Sequence, residues 1–170
     1  MKAIVATDRN GIIGKGDSIP WHCSEDLKWF KEFTWNKRLI VGNNTWNHLP
    51  ELKHRNLAVI TSDPYFLESS WGDSSGYDFV RNSGFITCSP DFIINLLDKE
   101  KNFEYDDFTV IGGARTYKTF LPYITEFYQT IVDVESDGDV ELGFEFSQYF
   151  PKVESFRKLS EIAMVYKWSL

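Results

Sequence analysis

Cysteine is scarce in this chain of 170 residues: Cys23 and Cys88 are the only two, and they lie far apart. Two isolated thiols build no disulfide framework, which excludes a small stapled secreted fold and points to free thiols in a reducing, cytoplasmic compartment. Also lacking is any apolar run near the ~20 residues that cross a bilayer. The apolar opening that ends at Ala6 is too short for a secretory leader, and Asp8 and Arg9 follow at once. No membrane partner is expected, and the sequon-like Asn43-Asn44-Thr45 carries no weight without a leader. Basic residues are outnumbered, 18 against 25 acidic ones, so the net charge is −7. An acidic surface argues against general nucleic-acid binding. Anionic small ligands remain admissible if local donors meet them. The three histidines, His22, His48 and His54, have no ligand-like spacing with cysteine or acid clusters, so no metal is expected. No serine sits in a nucleophile elbow, and neither cysteine has an activating partner nearby. Repeats, linkers and low-complexity segments are absent.

What is present reads as a globular protein. Hydrophobic residues make up 42% and charged residues 25%. The length suits one domain over 1–170 with a true core. Aromatics at 16% serve either as large core side chains or as a pocket for flat rings, and composition does not separate the two.

Residues 2–7 read as a buried strand. A glycine-rich loop follows over 8–23, long enough in so small a domain to suggest function. Ser24 reads as the N-cap of a helix running to about Thr34, with Glu25 and Asp26 in its first turn. Strands are predicted at 38–42 and 57–61, and between them Asn44-Thr45 starts a short helix that Pro50 follows. Residues 62–76 look like surface loop, and a strand is expected near 77–80 or 84–87. Ser89-Pro90-Asp91 opens a helix to about Lys99. A buried strand at 108–111 ends at Gly112-Gly113, and a helix at 114–120 stops at Pro122. Strands follow at 126–134, 155–160 and 162–168. Strands alternate with helices early and not late. The pattern predicts an α/β fold with a mostly parallel sheet and an antiparallel C-terminal edge.

Asp26 is the most informative residue. Helical spacing places it on one face with Phe30 and Phe33, flanked by Leu27. Either it is a first-turn acid favouring the helix dipole and facing water, or it is a desolvated carboxylate among rings. The second form could hold a cationic or amidine-like ring edge or help deliver a proton. Two strand-to-helix turns, Gly42-Asn43-Asn44-Thr45 and Gly112-Gly113-Ala114-Arg115, offer backbone N–H groups suited to phosphate, but neither is a Rossmann fingerprint or a P-loop. Arg55, just before a buried strand, is either a solvated arginine or a two-bond fork for a carboxylate.

Five segments, in this order, resemble the dihydrofolate reductase family. They are Pro20-Trp21 with Glu25 to Lys31, Val41 to Trp46, Arg55 with Leu57 to Ser62, Val110 to Tyr117, and Tyr128 to Asp133 with Gly138-Asp139 beyond. The similarity covers nearly the whole chain. It implies a three-layer fold of that family, with a sheet of about eight strands and helices on both faces. It also implies NADPH-dependent reduction of 7,8-dihydrofolate to tetrahydrofolate by a monomer. Under the resemblance Asp26 bonds the pterin and supports protonation of its N5, Thr130 shares that network, and Trp21 helps to order a water. Ile4, Val5, Leu27, Phe30, Leu49 and Ile111 wall the pterin and benzoyl rings, Tyr117 joins the substrate site, and Arg55 holds the substrate's α-carboxylate. Ala6 and the lid loop Ile13, Gly14, Lys15, Gly16, Asp17, Ser18 and Ile19 cover the nicotinamide. Gly42, Asn43, Asn44 and Thr45, with Ile111, Gly112, Gly113, Ala114, Arg115 and Thr116, receive the pyrophosphate and ribose, and Thr61 and Ser62 lie by the adenosine. A cis Gly112–Gly113 bond is implied, and Gly138-Asp139 brace the lid.

The sequence also departs from the family. Asn43 and Asn44 stand where many relatives carry basic residues near the 2′-phosphate, so NADH is kept beside NADPH as a cofactor. His54 stands where a glycine often precedes the arginine, and residues 63–88 are unlike the usual pattern. Two other readings are a related reductase of a pyrimidine ribosyl intermediate and a non-catalytic folate- or nucleotide-binding module. The joint presence of Asp26 and Arg55 argues against the first, and that of Asp26, Trp21 and Thr130 against the second.

Overall fold

The computed structural model describes residues 1–62, 85–99 and 108–170. Strands β1 (Lys2–Thr7), β3 (Arg38–Gly42), β4 (Asn56–Ile60), β5 (Phe85–Cys88), β6 (Phe108–Gly112), β7 (Glu126–Val132), β9 (Lys152–Lys158) and β10 (Ala163–Ser169) form one sheet. Its order is β5-β4-β3-β6-β1-β7-β10-β9. Pairings from β5 across to β7 are parallel, and β10 runs antiparallel to both β7 and β9.

The central strands are almost continuously apolar because both faces of the sheet are covered. Alternation sorts their side chains into two cores. Ala3, Val5, Ile40, Ala58, Val110 and Phe127 point to one core. That core is completed by Ile93 and Leu97 of α3 (Pro90–Lys99), Tyr117 and Phe120 of α4 (Ala114–Phe120), and Phe146 of α5 (Phe146–Tyr149). Ile4, Leu39, Val41, Leu57, Val59 and Tyr128 point the other way, against Trp29 of α1 (Ser24–Thr34) and Trp46 of α2 (Asn43–Trp46). Helices therefore flank both faces, giving the three layers expected.

Several local expectations change. Helix α1 starts one residue early: Cys23 is its N-cap, with no side-chain cap bond, and Ser24 Oγ instead donates to the Glu25 carboxylate at 3.0 Å. Residues 8–23 are not wholly loop. β2 (Ile12–Gly14) pairs with β8 (Val140–Glu141) in a separate antiparallel ladder, a contact between distant segments that no local pattern announces. Of the two positions offered for the fifth strand, the later one forms, at Phe85–Cys88. The alternative at 77–80 and the loop over 63–76 lie outside the described residues. Ser89 does cap α3, accepting from the Phe92 N–H through its hydroxyl at 3.3 Å. Among the described residues, no helix is long and apolar enough to cross a membrane.

Candidate active site

The C-terminal ends of the parallel strands, where α/β sheets place their ligand crevices, open into a cleft of about 810 Å³. Its floor is Ile4, Val5 and Ala6 of β1, with Ile111 at the end of β6. One wall is Asp26, Leu27 and Phe30 of α1, with Leu49 beyond α2. The opposite wall is Gly42, Asn43, Asn44 and Thr45, then Gly112, Gly113, Ala114, Arg115, Thr116 and Tyr117. Thr61 and Ser62 line one end, and Ile13, Gly14, Gly16, Asp17, Ser18 and Ile19 close over the top.

The two turns of the far wall interlock. A Cβ on Gly42 would stand 2.6 Å from Thr116 Oγ1, and one on Gly113 would stand 2.8 Å from Thr45 Oγ1. Glycine at both places lets the turns approach and leaves backbone and hydroxyl groups facing the cleft. The Gly112–Gly113 peptide is cis. Among the described residues lining the cleft, Arg115 is the one permanent cation. An anionic ligand is thus met chiefly by backbone N–H groups and by the hydroxyls of Thr45, Thr61, Ser62 and Thr116.

Asp26 lines the cleft beside Leu27 and Phe30. Phe33 does not join it. That ring turns to the second core, 5.1 Å from Trp29 and 4.6 Å from Tyr128 between centroids. Burial pushes the Asp26 carboxyl up. The Thr130 hydroxyl, fully buried on β7, opposes this, yet it closes no hydrogen bond of good geometry with the carboxylate. The Asp26 charge and, more strongly, burial push the Tyr117 phenol well above its ordinary range. Cys88 is also buried, its thiol pushed up to about 12, so it is no thiolate at neutral pH.

Four residues singled out from the sequence do not line the cleft. Thr130 stands behind Asp26. Trp21 packs with Cys23, Val132 and Ala163. Lys15 turns outward to pair with Asp137. Arg55 is 6% exposed and its guanidinium donates to Lys53 O (2.6 Å), Lys31 O (2.9 Å) and Thr34 Oγ1 (3.2 Å). It also lies 5.2 Å from the Trp35 ring, and His54 before it takes a left-handed φ of 60°.

Five lining residues were not foreseen: His48, Ile60, Pro90, Thr119 and Val140. His48 had a local signal, one helical turn after Asn44, whose carbonyl its Nδ1 meets at 2.8 Å. Its Nε2 lies 3.5 Å from Asp17 of the lid. Val140 had none, because its place comes from β8 pairing with β2.

The family model for dihydrofolate reductase matches residues 1–163. A dihydrofolate reductase of Buchnera aphidicola subsp. Acyrthosiphon pisum is 32% identical over 156 residues, covering 90% of this chain and 80% of that protein. One from Haemophilus influenzae is 29% identical over 158 residues, covering 86% and 85%. A solved structure of dihydrofolate reductase from Enterococcus faecalis, complexed with NADP(H) and RAB-propyl, superimposes with a TM-score of 0.70 at 26% identity, covering 98% of this chain and 92% of that one.

Proposed function

Since the chain belongs to the dihydrofolate reductase family, we infer that it is itself a dihydrofolate reductase. It uses NADPH to reduce 7,8-dihydrofolate to tetrahydrofolate, which supports one-carbon and thymidylate metabolism. The observation that carries the reading is Asp26: a carboxylate raised by burial, on the wall of a cleft whose opposite wall is two interlocked glycine turns.

The cofactor supplies the hydride, and the protein supplies placement, dryness and a proton route. The residues present fit it. Gly42 and Gly113 leave room for a backbone cradle, and Thr45, Thr116 and Arg115 stand beside it. We assign Gly42 to Thr45 and Ile111 to Thr116 to the pyrophosphate and ribose, and Thr61 and Ser62 to the adenosine end. Ala6 and the lid from Ile13 to Ile19 exclude water from the reacting rings. On the substrate side, Ile4, Val5, Leu27, Phe30, Leu49 and Ile111 sandwich the pterin and benzoyl rings. Asp26 bonds the pterin's amino edge and holds the proton that supports protonation at N5. Thr130 shares its network from behind, Trp21 helps to order a water, Tyr117 steadies the floor, and Arg55 takes the α-carboxylate of the glutamate. The protein is read as a cytoplasmic monomer of one domain, with no nucleic-acid or membrane partner.

The test is turnover by the purified chain. Loss of reduced-nicotinamide absorbance with dihydrofolate and NADPH is expected, and no turnover with either NADPH or NADH would overturn the reading. NADH belongs in the assay because Asn43 and Asn44 give the cleft no cation beside its first turn.

A further inference from the structure

Asp8 is a carboxylate only 1% exposed that does not line the cleft, and the chemistry above does not use it. Four donors converge on it. Oδ1 accepts from the backbone N–H of Asn10 at 2.8 Å and of Ile12 at 2.9 Å, shaping the turn from β1 into β2. Oδ2 accepts from the N–H of Ser136 at 3.0 Å and from its hydroxyl at 2.8 Å. Ser136 lies on the loop between β7 and β8. One carboxylate thus ties the root of the lid to the segment that carries the lid's partner strand.

Neighbouring contacts follow the same seam. The Arg9 N–H donates to Val134 O at 3.2 Å, and the Asp139 N–H to Gly14 O at 3.0 Å. Ion pairs Arg9–Asp133 and Lys15–Asp137 cross it on the outside, but they are exposed and contribute little. The Asp8 bonds are part-buried and charge-assisted. Burial pushes the Asp8 carboxyl up, but the bonds from Ser136, Ile12 and Asn10 together bring it below its ordinary range, so it is ionised at neutral pH.

We propose that Asp8 is a positioning residue that fixes the β2–β8 lid over the cleft and so sets how tightly the nicotinamide end of the cofactor is held. The elements it joins reach the cleft directly: Ala6 precedes it, Ile13 and Gly14 follow it, and Val140 comes from the partner strand. Charge is required as well as size. An asparagine amide would turn its NH2 toward one pair of donors, losing two bonds and setting N–H against N–H.

This proposal rests on the cleft binding NADPH. The experiment compares wild type, Asp8→Asn, Ser136→Ala and the double variant. It measures thermal melting, NADPH affinity by quenching of tryptophan fluorescence, and steady-state constants for each substrate. Asp8→Asn is expected to weaken NADPH binding about tenfold, with the dihydrofolate KM changed less than about twofold. Ser136→Ala should show a smaller shift of the same kind, and the double variant should be no worse than Asp8→Asn alone, because both remove one network. A purely structural carboxylate would lower the melting temperature and leave the NADPH affinity of the folded protein alone; that result overturns the proposal. Should Asp8→Asn not fold, unchanged NADPH affinity in Ser136→Ala overturns it equally. Wild type that binds NADPH without reducing dihydrofolate would sink the functional reading and leave this comparison standing. Wild type that binds no NADPH would sink both.

Discussion

The Tyr117 hydroxyl donates a 2.6 Å hydrogen bond to the carbonyl oxygen of Ile4, fastening α4 to β1 beneath the cleft. Both residues line the site, and Tyr117 is 2% exposed. Because burial and then Asp26 push its phenol far up, it stays a donor throughout the working pH range. Tyr117→Phe would leave a buried carbonyl without this donor. It should cost about 1–3 kcal/mol in denaturant unfolding, and it should loosen dihydrofolate binding because the floor strand is freed. Unchanged stability and KM would contradict this role.

Asp26→Asn separates activity from stability. Loss of the acid should lower kcat by about 10²–10⁴-fold, the usual span for a positioned proton-transfer group. Stability should move the other way. The folded carboxyl is raised by burial, so between the ordinary carboxyl pKa and the raised one the folded chain binds more protons than the unfolded chain. Wild-type stability therefore falls as pH rises through that window and stays lowered above it. Asparagine buries no charge, so the variant should melt higher than wild type at neutral pH, read by calorimetry at several pH values.

Arg55 is already held by Lys31 O, Lys53 O and Thr34 Oγ1, with Trp35 over its guanidinium. To grip a carboxylate the guanidinium must turn part of this fork toward the cleft, which it does not line. Arg55→Ala should raise the dihydrofolate KM about tenfold or more while leaving NADPH affinity unchanged. A dihydropterin lacking the glutamate should be reduced equally by both chains. An equal loss of cofactor binding would place Arg55 elsewhere in the mechanism.

Gly138 is a place where the late loop closely approaches the lid. An added Cβ would stand 2.2 Å from Ile12 Cγ2 and 2.6 Å from Gly14 O, so the backbone itself must shift. Gly138→Ala should cost about 1–3 kcal/mol and weaken NADPH more than dihydrofolate. Thermal melts and separate affinities would check both parts.

The strands and helices that build the sheet were legible because their signals are local. Continuous apolar runs mark β1, β3, β4 and β6, and Ser89-Pro90 marks the start of α3. Asp26 was legible as an ambiguity: helical spacing gave its face, and only packing showed Phe30 in the cleft and Phe33 in the core. The β2–β8 ladder was not legible, since two residues of β8 carry no periodic signal and meet their partner across most of the chain. The same non-locality hid Val140 from the list of lining residues and left the role of Asp8 unread, for its donors at Ser136 come from a loop far along the sequence. Ser24 shows the limit of cap signals, as Cys23, still extended, takes the cap position and Ser24 is already the first helical residue.

The most direct measurement is the pH dependence of single-turnover hydride transfer in wild type and Asp26→Asn. Wild type should slow as pH rises through the raised Asp26 pKa, because the proton it holds is lost, and the variant should be slow throughout with that limb absent. A variant matching the wild-type rate and profile would remove Asp26 from the chemistry, and with it the reading of the cleft.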